Sequence, residues 1–149
     1  MVRNVGGMID EPSAAVGRRG VATVVGLASS IALAVVWHWL GFVTRTPERS
    51  YEYTQYFSNC VSIGFALAFA AVAFGLGRLT GTARGVAIGM VLPLPLAMMV
   101  EIARDRTSHN LMPFEVALYW VPAFAVAFAG AYLGRRSSEG SRRGAPADH

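Results

Sequence analysis

Residues 20–43 read GVATVVGLASSIALAVVWHWLGFV, a run with no aspartate, glutamate, lysine or arginine and a single histidine, His38. At ~1.5 Å of rise per residue a helix over this run is roughly 36 Å long, enough to cross a hydrocarbon core of about 30 Å. Three further runs, at 57–77, 85–100 and 116–134, are equally free of charge. The sequence therefore predicts an all-α fold, a four-helix transmembrane bundle over 20–134. The flanking tails, 1–19 and 135–149, are rich in Gly, Ser, Pro, Ala and charge and are expected to be disordered.

Composition agrees with this class. Hydrophobic residues make up 54% of the 149-residue chain and charged residues 15%. The mean hydropathy is positive, at +0.43. The N-terminal apolar run is too long for a signal peptide and ends in Trp37-His38-Trp39, an interfacial anchor, so this segment is expected to be retained. The single cysteine, Cys60, excludes an internal disulfide, a CxxC redox pair and a thiolate metal cage.

All 13 basic residues are arginines, a bias that suggests a GC-rich bacterial genome. If the four runs span, Arg3, Arg18, Arg19, Arg78, Arg84, Arg135, Arg136, Arg142 and Arg143 share one side. Only Arg45, Arg49, Arg104 and Arg106 lie on the other. The positive-inside rule then predicts a bacterial inner-membrane protein with N- and C-termini cytoplasmic and loops 44–56 and 101–115 extracytoplasmic. The arginines are scattered, with no interleaved aromatics to stack on bases, which points to lipid headgroups and away from nucleic acid.

Helices in lipid associate through close contact of small residues. Gly26, Ser30 and Ala34 supply such a face in the first run, Ala71 and Gly75 in the second. Gly85 and Gly89 supply it in the third, and Gly130 and Gly134 in the fourth. These faces can close one chain or join copies in a homo-oligomer. Pro93 and Pro95 remove two amide donors inside the third run and predict a kink, a hinge or a ligand pocket; Pro122 is a weaker signal of the same kind.

Polar chemistry gathers where the third run ends. Glu101 and Asp105 share a helix face if that helix continues. With His38, His109 and Glu115 they form a candidate outward-facing pocket for a metal, another ligand or a proton relay. The spacing matches no known ligand motif, so no metal identity follows and no cofactor is expected. The structural reading of the same residues is a helix start at Pro113 and Glu115, an interfacial His38, and Glu101 paired with Arg104, Arg45 or Arg49.

The run Ser108-His109-Asn110-Leu111-x-Pro113-x-Glu115 resembles small uncharacterised four-span bacterial inner-membrane proteins, a resemblance that implies no activity. Small multidrug transporters place a carboxylate in their first span, b-type cytochromes need facing histidine pairs, and intramembrane proteases need an acid pair, a metal motif or a Ser/His pair. None of these patterns occurs here. The expectation is a non-enzymatic protein, an accessory or assembly subunit or a homo-oligomer packed through small-residue faces, whose partners are the bilayer and a second membrane protein. The alternative is a small transporter or ligand-binding protein using the outer pocket.

Overall fold

The computed structural model describes residues 11–43, 52–106 and 112–143. In chain order these form α1 (Glu11–Trp39), α2 (Glu52–Ser58), α3 (Ile63–Thr80), α4 (Ala83–Val91), α5 (Pro93–Arg104), α6 (Met112–Glu115), a π-helical segment (Val116–Trp120) and α7 (Val121–Arg143). No strand occurs among the described residues. Among the described residues, four helical stretches are long and apolar enough to cross a membrane: Val16–Trp39, Ile63–Thr80, Ala83–Arg104 and Ala117–Ser141. This is the make-up of a multi-pass membrane protein.

Where α1 stops is set by Gly41. Its φ of 76° lies in the left-handed region that side chains with a Cβ avoid. The amide of Phe42 then donates to Trp37 O at 3.3 Å and that of Gly41 to His38 O at 3.0 Å. Phe42 folds back on Trp37, with ring centroids 4.6 Å apart. This pattern of bonds plus an apolar contact is a Schellman closure, and it ends the helix four residues before the apolar run does.

The second apolar helix begins later than its run. Ser62 accepts the amide of Phe65 at 3.1 Å, an N-cap that starts α3 at Ile63. Residues 57–62, expected inside a span, instead finish the separate helix α2 and turn into α3. Helix also extends past both apolar limits, from Glu11 and as far as Arg143. Residues 11–19 and 135–143 are therefore helical where disorder was expected. Helix propagation adds one bond per residue fixed, so polar flanks continue a nucleated helix at little cost.

Proline bends the third apolar stretch without ending it. Pro93 cannot donate to Gly89 O, but the amide of Leu92 reaches both Ile88 O (3.1 Å) and Gly89 O (3.3 Å). Leu92 keeps helical dihedrals, φ −61° and ψ −31°. The α-helix is interrupted at Leu92, between α4 and α5, the break in bonding at which proline kinks a helix. In the fourth stretch, Pro122 would press its ring on the carbonyl of Leu118. The π-segment widens the helix over that turn.

The third stretch is the centre of the packing. Half of it is buried, against 22%, 17% and 22% of the others. α1 packs mainly on α4, α3 on α7, and α4 on α7. Backbones meet wherever glycine removes the Cβ. A Cβ on Gly26 would sit 2.8 Å from Val86 O, and one on Gly130 2.6 Å from Ala70 O. Gly85 faces Arg19 and Ala22, Gly89 faces Thr23, and Gly134 faces Phe74, with Ser30 and Ala34 buried on the α1 stripe. In α3, however, the packing face is Ala73 and Gly77, not Ala71 and Gly75. Gly77 lies against Ala131, whereas nothing approaches Gly75. Two positions are about 200° of helix turn, which places the expected pair on the far side.

Candidate functional site

At the end of the helices where α1 finishes, Glu101 and His38 both meet α2. Glu101, in the last turn of α5, is only 3% exposed. Its carboxylate accepts the amide of Tyr53 at 2.6 Å, the amide of Thr54 at 2.8 Å and the hydroxyl of Thr54. These amides belong to the first turn of α2, which has no partners for them within its own helix. A carboxylate at that position also meets the positive end of the helix dipole. Arg104, one turn on, lies over the ring of Tyr53 at 5.6 Å.

From the other side, His38 stacks flat on Tyr56, with centroids 3.9 Å apart and planes 4° from parallel. Its Nδ1 donates to Ala34 O at 2.9 Å. A carbonyl only accepts, so in the neutral ring the proton sits on Nδ1 and Nε2 presents its lone pair. That Nε2 is buried with no hydrogen-bond partner among the described residues. Cys60 Sγ lies 3.5 Å from His38 Nδ1 and donates to Tyr56 O at 3.4 Å. The thiol is fully buried, and burial pushes its pKa up to about 11. A thiol held protonated is not a nucleophile near neutral pH.

Asp105 caps α5 and is exposed, and Glu115 is half-buried at the end of α6. His109 lies outside the described residues. Among the described residues, no three His, Cys, Asp or Glu side chains come together as a metal-holding group. His38 and Glu101 thus share a neighbour, α2.

A different site lies deeper, where the two helix irregularities face each other. A cavity of about 80 Å³ is lined by Pro93 and Leu94 at the kink, Tyr119 and Trp120 from the π-segment, Ser30 of α1 and Phe69 of α3, among others. The walls are almost wholly apolar. The indole N–H of Trp120 is buried and has no hydrogen-bond partner among the described residues. A buried unpaired donor costs about 1–3 kcal/mol. Pro93 and Pro122 were the signals for this site; the pairing of the kink with Trp120 was not readable, because it joins separate helices.

Neither a protein-family model, nor a curated protein, nor a solved structure matches this chain.

Proposed function

We propose that the chain is a non-enzymatic protein of a bacterial cytoplasmic membrane that binds a small lipophilic molecule carrying one hydrogen-bond acceptor. The reading rests on one observation: Trp120, whose buried N–H has no hydrogen-bond partner among the described residues, lines an apolar cavity between a proline kink and a π-segment. π-segments recur at functional sites because they re-aim side chains out of helical register. The cavity is small, so it takes one end of the ligand, a short hydrocarbon segment with an ester, carbonyl or ether oxygen. The arginine distribution supports cytoplasmic termini and extracytoplasmic loops 44–56 and 101–115, which puts the cavity in the outer half of the bundle.

A transporter built on His38, Glu101, Asp105, His109 and Glu115 receives less support, because Glu101 is committed to the amides of α2. An accessory or assembly subunit is the second reading. It is favoured by the broad exposed apolar faces of α1, with Val21, Val24 and Val35, and of α7, with Val121 and Leu133. A homo-oligomer would have to use exposed apolar faces such as these, since Gly26, Gly85, Gly89, Gly130 and Gly134 are occupied within the chain.

The test is extraction of lipophilic molecules from protein purified in mild detergent, wild type beside Trp120→Phe. The substitution keeps an aromatic ring and removes the N–H. Wild type should carry a defined lipophile at near-stoichiometric amount, and the variant should have lost most of it. Equal content in both would overturn the ligand reading, and a co-purifying membrane protein in both would favour the accessory one.

A further inference from the structure

At the opposite end of the helices, three arginines from three different helices line one cavity of about 860 Å³. They are Arg18 of α1, Arg78 in the last turn of α3, and Arg135 of α7. The turn at Gly81 forms another wall. It can close tightly because Gly81 adopts φ 68° and donates its amide to Gly77 O at 3.0 Å. The cavity sits at the ends of the apolar stretches Val16–Trp39 and Ile63–Thr80, the depth at which lipid headgroups lie.

Its charge is unbalanced. Glu139 is on the same wall and binds Arg135 at 2.8 Å, so three positive groups face one negative. Arg18 and Arg78 have no acidic partner among the described residues. The neighbouring hydroxyls are already committed as donors, Thr80 to Leu76 O at 2.8 Å, Ser138 to Arg135 O at 2.7 Å and Thr82 to Thr80 Oγ1 at 3.5 Å. The donors left to a ligand are therefore guanidinium N–H groups, planar forks that match the oxygens of a phosphate two at a time. The rim also carries Val21 and Leu79, apolar surface beside the charge.

We propose that this cavity binds a phosphate-bearing anion, with Arg18 and Arg78 as the clamp and Arg135 as a third, partly neutralised contact. The phosphate belongs either to a phospholipid headgroup or to a soluble phosphate, and the two share the same recognition chemistry. The site is independent of the Trp120 cavity, which lies at the other end of the helices.

The experiment uses the full chain in a neutral detergent and follows thermal unfolding in two titrations. One compares phosphatidylglycerol with diacylglycerol, which has the chains without the phosphate. The other compares inorganic pyrophosphate with chloride at matched ionic strength. Saturable stabilisation is expected in one titration, and which one responds identifies the source. Arg18→Gln and Arg78→Gln should each weaken the apparent affinity about five-fold. Arg136→Gln, an exposed neighbour outside the cavity lining, should leave it unchanged. No stabilisation in either titration, or undiminished binding by the double variant, would overturn the proposal. If a glutamine variant does not accumulate, Arg78→Lys retains the charge while losing the two-pronged contact; undiminished affinity in that variant would also overturn it.

Discussion

Glu101 of α5 accepts the backbone amide of Thr54 of α2 at 2.8 Å, across 47 positions of sequence. A second amide and a hydroxyl bind the same carboxylate, so one buried side chain closes the open end of a helix from elsewhere in the fold. A seven-residue helix is far below the length that is stable alone in water, and α2 depends on such tertiary support.

Removing that support is expected to be costly. Glu101→Ala leaves two amides without their acceptor and should lower stability by about 2–5 kcal/mol. Glu101→Gln retains one carbonyl acceptor and should cost less than the alanine variant. Thermal unfolding in detergent orders the three proteins; a Glu101→Ala protein as stable as wild type would show that α2 is not held this way.

Glycine contacts between helices are expected to be selective by position. A Cβ on Gly134 would collide with the backbone of Phe74, so Gly134→Ala should destabilise by about 1–3 kcal/mol through overpacking. At Gly75 nothing lies within 4 Å of the added carbon. Gly75→Ala should be neutral or slightly stabilising, because alanine is the better helix former. Equal effects at both sites would refute the placement of α7 against the Gly77 face of α3.

Cys60 should be inert to maleimide in the folded protein and label rapidly once unfolded. Its thiol pKa is raised by burial from 9.0 to about 11. The unfolded chain ionises first as pH rises. The stability tied to the protonated thiol is therefore fully present below pH 9 and is lost as pH climbs towards 11. Replacing Cys60 by Ala should remove this alkaline component of the unfolding profile, and a profile identical to wild type would argue against it.

The Arg135–Glu139 pair stands about half exposed on both sides and is expected to matter little for folding. Glu139→Gln should change stability by less than about 0.5 kcal/mol. Its effect should appear instead as tighter anion binding, since it removes the one negative charge among the cavity's lining residues. A large loss of stability would mean that the pair holds the last turns of α7 together.

Much of the architecture was legible because hydrocarbon imposes a one-dimensional test. A run without charge, about as long as a bilayer is thick, can be recognised without knowing its neighbours. The stripes through Gly26, Gly85, Gly89, Gly130 and Gly134 coincide with faces the structure packs, although the first and fourth spans also carry other small residues, such as Ala28 and Ser29, and Ala123 and Ala125. In α3 the same rule selected Ala71 and Gly75, because Ala66, Ala68, Ala70, Ala71, Ala73, Gly75 and Gly77 supply small residues around nearly the whole helix. Only the position of α7 chooses between them.

The candidate site divides in the same way. Apolar length, arginine asymmetry and the proline positions are properties of the chain read along its length, and by itself the sequence determined the membrane class and the places where helices bend. Which polar groups meet is a property of distance in space. Glu101 serves the amides of α2, His38 stacks on Tyr56, Trp120 faces the kink at Pro93, and three arginines share one cavity because separate helices pack in one arrangement. Hydrogen bonds and close backbone contacts act over about 3–4 Å, so partners remote in sequence are decided by tertiary packing alone.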